Sequence, residues 1–140
     1  MVDLLMKMPT PYEPKRKNRW VLRFGDGKIK EWVIYRSSRP KFTKKRTWYG
    51  FTKYVVDVME ISLRDPITPS TSQSLNEIML KDERFNLTLE MLDPTGVVIE
   101  RWFISDCELL EVDFGNLDYA EADIIECSIK IKPKTASLVF

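Results

Sequence analysis

The sequence contains no histidine. That absence excludes Ser-His-Asp and Cys-His catalysis and any zinc site with imidazole ligands. Cysteine is scarce too: Cys107 and Cys127 are too few for a four-thiolate zinc site or a disulfide framework. One bridge between them is the alternative to the reading adopted, two buried free thiols. Glycine occurs five times, with no Gly-x-Gly-x-x-Gly and no Gly-Lys-Ser/Thr, so neither phosphate-cradling loop is present. No apolar run approaches the roughly 20 residues of a membrane helix. The first eleven residues carry an acid, Asp3, and an apolar stretch too short for a signal peptide. A chain made and folded in a cytoplasm is expected. Its 140 residues suit one domain, 1–140.

What is present is an uneven distribution of charge. The net charge is only +1. Yet residues 1–54 hold 15 Lys/Arg against 4 Asp/Glu, and residues 55–140 hold 7 against 17. A basic half and an acidic half ask for a partner. Three readings follow: association with further copies of the chain, neutralisation of one half by the other within one fold, or nucleic acid on the basic half.

Hydrophobic phase supplies the elements. Residues 1–17, with three prolines and a basic end at Lys15-Arg16-Lys17, read as an extended N-terminal arm. Residues 18–24 alternate through Trp20, Leu22 and Phe24. Gly25-Asp26-Gly27 signals a tight turn, and 29–35 reads as the second strand of a hairpin. Residues 36–53 read as a long loop with seven Lys/Arg, no acid, and Phe42, Trp48, Tyr49 and Phe51 interleaved. Such aromatics argue against plain disorder. A long strand at 54–64 changes phase between Val58 and Met59, which suggests a bulge.

One helix is expected. Thr68 with Pro69 can open it, or Ser70 and Gln73 can form a capping box; Leu75, Ile78 and Met79 give its buried face, and it ends near Lys81. Strands follow at 85–92, 97–105, 108–114 and 123–132. Asp93-Pro94-Thr95-Gly96 joins the first two as a type I turn. In the third, Leu110, Val112 and Phe114 are taken as one face and Glu111 and Asp113 as the other. Gly115 to Asp118 is read as a turn, and 133–140 as a C-terminal tail. Seven strands and one helix without βαβ alternation predict a mainly β, α+β fold: an antiparallel β-sandwich or barrel with one helix attached.

The chemistry-bearing residues are acids and cation-aromatic clusters. Asp106, Glu108, Glu111 and Asp113, then Asp118, Glu121, Asp123 and Glu126, crowd the last third. They form no Asp-x-Asp-x-Asp-Gly loop for a hard cation. Strand alternation turns Glu111 and Asp113 to solvent, so a solvated acidic β surface is favoured over a catalytic carboxylate pair. The 36–53 stretch fits single-strand stacking on Trp48 or Tyr49. It fits equally a docking loop whose aromatics anchor in a neighbour while Lys44, Lys45 and Arg46 meet its acids. No nucleophile is set beside a base, and the chain is expected to be no enzyme and to need no metal or cofactor.

The order of elements resembles the inner tube proteins of contractile injection machines, that is, phage tail tubes and their relatives in secretion systems. The residues that carry the resemblance are Asn18-Arg19-Trp20-Val21-Leu22, Val58 to Asp65, Leu87 to Gly96, Val97 to Trp102, and Val112 to Tyr119. The resemblance covers most of 18–132. It implies a tail-tube fold whose subunits form stacked hexameric rings, with strands from each subunit joined into one barrel around a lumen. It implies a structural role in a virion tail assembled in the host cytoplasm. Sheath, baseplate and tail terminator proteins are the implied partners. Viral DNA would pass through the lumen during ejection without specific binding. An acidic lumen, with Glu111 and Asp113 as its row or as an interface row, would repel phosphates. Lys44, Lys45, Arg46, Trp48, Tyr49 and Phe51 are the expected inter-ring or subunit contacts, together with the arm. Trp102, Phe103 and Phe114 are assigned to core or intersubunit packing. A baseplate or tube-initiator protein of the same fold is the near alternative. A small β-barrel nucleic-acid-binding protein is the alternative from another class.

Overall fold

A computed structural model describes residues 14–68 and 70–140. The expectations for residues 1–13 of the arm and for Pro69 lie outside the described residues. The chain forms strands β1 (Trp20–Phe24), β2 (Ile34–Ser37), β3 (Phe42–Arg46), β4 (Thr52–Val56) and β5 (Met59–Arg64), then helix α1 (Thr71–Lys81). Strands β6 (Phe85–Leu92), β7 (Val98–Asp113), β8 (Glu126–Lys132) and β9 (Thr135–Leu138) complete it. All pairings are antiparallel.

The long strand β7 organises the fold. Its first half pairs with β6 on one side and β9 on the other. Its second half pairs with β8, which continues to β5 and β2. The change falls beside Asp106, whose φ of 53° is left-handed and whose amide donates to the Asn86 side chain at 2.9 Å. A bulge there bends one strand from the first sheet (β1-β6-β7-β9) into the second (β7-β8-β5-β2). The two inner faces share one core. Leu22, Leu87, Leu89 and Ile104 come from the first sheet, and Ile61, Leu63, Cys127, Ile129 and Ile131 from the second. Alternation explains the choice: on β8 the buried residues are separated by exposed Ser128 and Lys130.

Helix α1 adds Leu75 and Ile78 to this core. Of the two expected starts the Ser70 cap is the one used, its side chain accepting from the Gln73 amide at 3.4 Å. Asp65 Oδ1 satisfies two more first-turn amides, Thr71 at 3.1 Å and Ser72 at 3.2 Å. Lys81 in the last turn complements the helix dipole. Met79, expected on the buried face, is exposed.

Several sequence expectations are corrected. The Gly25-Asp26-Gly27 turn is real, with the Gly27 amide donating to Phe24 at 3.1 Å, but it closes no hairpin. The chain runs through a 3-10 turn at Glu31–Val33, and β2 crosses to pair with β5 while β1 pairs with β6. The 36–53 loop contains β3 and the turn leading into β4, which form their own two-stranded sheet. The strand expected at 54–64 is two strands, broken at 57–58. Strands 97–105 and 108–114 are one, and the 133–140 tail contains β9. A register shift between Leu109 and Glu111 buries Leu109 and leaves Leu110 exposed. Ile125 lies before β8 and is exposed. The fold is therefore an antiparallel β-sandwich with one helix, as expected, but with nine strands among the described residues.

Candidate assembly surfaces

The basic-aromatic residues lie at one end of the second sheet. Strands β3 and β4 pair from Phe42 opposite Val56 to Arg46 opposite Thr52. Their tip is closed by the Thr47 amide on the Phe51 carbonyl (2.8 Å) and the Gly50 amide on the Thr47 carbonyl (3.1 Å). Gly50 has φ of +88°, a value an L side chain rarely adopts. On this tip Trp48 is 93% exposed, with Tyr49 and Phe51 also exposed. The three rings touch edge to face, at centroid distances of 4.9 and 5.4 Å. Lys44, Lys45 and Arg46 are exposed on β3, on the way to the tip. The structure thus brings all six expected contact residues together on one projecting hairpin.

The hairpin root is fixed to the sandwich. Phe42 packs on Trp102 at 6.1 Å, Thr43 donates to Asp57 at 2.7 Å, and the Lys132 ammonium donates to the Val56 carbonyl. Just before the hairpin, Arg39 holds both oxygens of Glu100 at 2.7 Å. Glu100 is buried and also accepts from Lys15 (2.6 Å) and from the Trp102 indole (2.7 Å). Burial pushes its carboxyl up, but the hydrogen bonds from Lys15, Trp102 and Arg39 outweigh it and hold it below the ordinary carboxylate value. A second buried acid, Glu90, is clamped by Arg23 and by Arg101, the latter at 2.8 and 3.1 Å. Neither acid belongs to the sequence clusters singled out above. The available signal was phase: Glu100 falls in step with Val98, Trp102 and Ile104, where an unpaired charge would be costly.

The other end of the same sheet carries the loop 114–125. It is irregular, where the sequence suggested only a short turn at 115–118. Gly115 opens it with φ of +89°, pressed against the Glu126 carbonyl. The loop and Arg64 enclose an open cleft of about 1020 Å³. Leu117, Tyr119 and Ile124 are exposed around it, with Asp118, Glu121 and Asp123 between them. Tyr35 donates to Glu126 at 2.5 Å, and burial followed by that hydrogen bond raises its phenol above the ordinary value.

Between these ends lies the outward face of the second sheet. Glu111 and Asp113 are exposed there, at the end of β7. They do not sit on a wholly acidic surface. Lys130 stands between Glu60 and Glu111, at 3.9 and 3.4 Å, and Arg64 is paired in register with Glu126. Cross-strand neighbours of opposite sign are favourable, and the face is close to charge-balanced. Phe103 and Phe114 are exposed, whereas Trp102 packs against the core. Both cysteines are free and buried; desolvation pushes the Cys107 thiol up to about 12 and raises Cys127 as well, so neither is a ready nucleophile. No strand of the described residues covers the outer edge of β2 or of the second half of β7.

No protein-family model matches the sequence. No curated protein sequence matches it either. Solved structures do. The tube-terminating cap of the anti-feeding prophage superimposes with a TM-score of 0.67 at 13% identity, over 95% of each chain. A chain of the sheath-tube complex of the PVC extracellular contractile injection system gives 0.65 at 15%, over 94% of this chain and 98% of that one. Hcp1 from Flavobacterium johnsoniae gives 0.59 at 15%, over 86% and 94%. At such identities the likeness is one of fold: this chain has the fold found in tube components of contractile injection systems.

Proposed function

We propose that the chain is a structural subunit that assembles with copies of itself into rings and stacks those rings into the hollow inner tube of a phage-tail-like contractile machine. The observation that carries the reading is the pair of open edges on one sheet. Among the described residues no strand pairs with the outer edge of β2 or of the second half of β7, at opposite sides of the same four-stranded sheet. Edge-to-edge addition of copies satisfies both at once, and a ring leaves neither exposed. Six members and a tail sheath outside are what the resemblance implies for this ring. The mechanism is assembly, not catalysis.

In such a ring the outward face of the β7-β8-β5-β2 sheet is the surface to line the lumen. It carries Arg36, Arg64 and Lys130 against Glu60, Glu111, Asp113 and Glu126, with no large apolar patch along β8. A charge-balanced lining neither binds nor strongly repels a polyelectrolyte. This replaces the acidic lining expected from sequence as the reason that DNA, or any other cargo, slides without sticking. Negative-stain electron microscopy of the purified protein at low and high salt tests the reading. Hollow rings or tubes are expected. Indefinite tubes mark a tube repeat, and single rings a cap or initiator. Monomers at every salt and concentration would count against assembly. They would favour the exposed Trp48 and its flanking cations as a nucleic-acid site, tested by salt-dependent oligonucleotide binding.

A further inference from the structure

We infer that the aromatic tip of the β3–β4 hairpin docks in the acidic, apolar cleft of the 114–125 loop on the next copy of the chain. The inference rests on the stacked-ring reading and names the residues that would join one ring to the next. Three observations carry it. First, the two surfaces are complementary. Residues 41–57 hold five cations and one acid, Asp57, whereas residues 114–126 hold four acids and no cation. Among the described residues, Lys41, Lys44, Lys45, Arg46 and Lys53 have no carboxylate partner within the chain. Second, both surfaces leave apolar groups in water. Trp48, Tyr49 and Phe51 project from one, and Leu117, Ile124 and Ile125 lie open on the other, beside a cleft of about 1020 Å³ that has room for aromatic side chains.

Third, the topology keeps the two apart within one molecule. Strand β5 starts at Met59, just after the hairpin, and ends at Arg64, which lines the cleft. Six residues of strand span roughly 20 Å. The hairpin root is tied to Glu100 and Trp102 on the first sheet, away from the cleft. Hairpin and cleft therefore occupy opposite ends of the second sheet, and one copy's hairpin fits another copy's cleft. Two different patches meeting in this way give a head-to-tail contact, which propagates instead of closing on a dimer. The tip rings, already packed edge to face on each other, lower the ordering cost of docking. Within one chain the basic half meets the acidic half elsewhere, at Lys15 and Arg39 on Glu100, Arg23 on Glu90 and Lys28 on Glu83, and the hairpin cations take no part in those pairs.

A reciprocal charge swap tests this. One variant carries Lys44→Glu, Lys45→Glu and Arg46→Glu; the other carries Asp118→Lys, Glu121→Lys and Asp123→Lys. All six positions are exposed, so circular dichroism melts should match the parent. Each variant alone meets like charge with like, and the concentration needed for stacking should rise by about tenfold or more. Mixed in equal amounts, the acidic hairpin of one faces the basic cleft of the other, and stacks should return. Stacks that form equally well from each variant alone overturn the docking while leaving ring assembly intact. A second measurement covers the case in which the parent itself forms nothing. Tyr49→Cys on one copy and Ile124→Cys on another should form a mixed disulfide under mild oxidation, since the native thiols are buried. Its absence at high protein concentration overturns the pairing, and absence of any assembly separately overturns the tube reading.

Discussion

The sandwich and the β3–β4 hairpin are both antiparallel β-structure, yet they are held by different means. Strands β1, β5, β6, β7 and β8 put apolar side chains into one shared interior, with Ile61, Leu63, Leu87, Ile104 and Ile131 fully buried. Across residues 42–56 of the hairpin only Val56 is buried. An isolated two-stranded hairpin is of low stability in water, so this one depends on its root. Its Phe42–Trp102 contact and the Arg39–Glu100 pair anchor it, while its tip carries three exposed aromatics, Trp48, Tyr49 and Phe51, and β4 adds Tyr54. The lesson is that burial within the chain specifies the sandwich, whereas the composition of the hairpin makes sense only against a surface outside the chain.

Substitutions separate the two regions, and the largest effect belongs to the core. Leu63→Ala removes a fully buried side chain at the centre of the β5–β8 pairing and should cost about 2–5 kcal/mol, read as a lower urea midpoint. A cost near zero would break the claim that this sheet is held by its inner face. Next is Gly115→Ala. The new Cβ would lie 2.5 Å from the Glu126 carbonyl oxygen at a φ of +89°, so the backbone must move. A loss of about 1–3 kcal/mol is expected in a thermal melt, and a melt identical to the parent's would show that the loop start is not as tightly fixed as its geometry implies.

Smaller still is the root of the hairpin. Glu100→Gln keeps the shape and removes the charge that Lys15 and Arg39 share; because about half of each cation stays in water, the cost should be about 1 kcal/mol. The pH dependence has a definite sign. The folded carboxyl lies below its ordinary 4.5, so its contribution is present above that value and is lost as pH falls through the lower folded value. Protection of hairpin amides, measured as exchange relative to the unfolded chain at the same pH, should therefore fall in acid, and should fall less in the Gln variant. Equal acid sensitivity of the two proteins would assign the anchoring to Phe42 and Trp102 alone.

The same contrast explains what was legible in the sequence. β6, β8 and α1 could be read because each buries one face and so keeps a clean period: Phe85, Leu87, Leu89 and Met91 on β6, Cys127, Ile129 and Ile131 on β8, Leu75 and Ile78 on α1. Strand β3 and the first two residues of β4 read as loop because neither face is buried there and no period survives, and the rest of β4 merges into the strand expected at 54–64. The sequence reading ends one strand at 105 and starts another at 108, whereas the structure runs a single strand through that point with a bulge beside Asp106, held by Asn86 from the neighbouring strand. That support is non-local and leaves no mark at the position itself. Likewise β1 and β2 share a real turn but answer to different sheets, since Ile34 lies opposite Leu63. The clustering of cations and aromatics on the hairpin is visible in composition, because it needs no register to be seen. The buried acids Glu90 and Glu100 are only partly visible in sequence: Arg101 and Trp102 lie on the same hairpin, but Arg23, Arg39 and Lys15 come from segments far away in the chain.

The smallest expected effect on the fold is the sharpest test of the comparison. Trp48 is 93% exposed and touches Tyr49 edge to face. Trp48→Ala therefore removes almost nothing that the monomer has buried, and its stability should stay within about 0.5 kcal/mol of the parent. Assembly should respond in the opposite way. Large aromatics at the centre of an interface commonly carry a disproportionate share of binding energy, about 2 kcal/mol or more each. Sedimentation of the variant should then show intact, folded subunits that fail to stack at concentrations where the parent does. Leu63→Ala should do the reverse, losing stability while its surviving folded fraction still assembles. If instead Trp48→Ala lowered the melting temperature as far as a core substitution does, the hairpin would be part of the folding unit, and its exposed aromatics would need an explanation inside the chain.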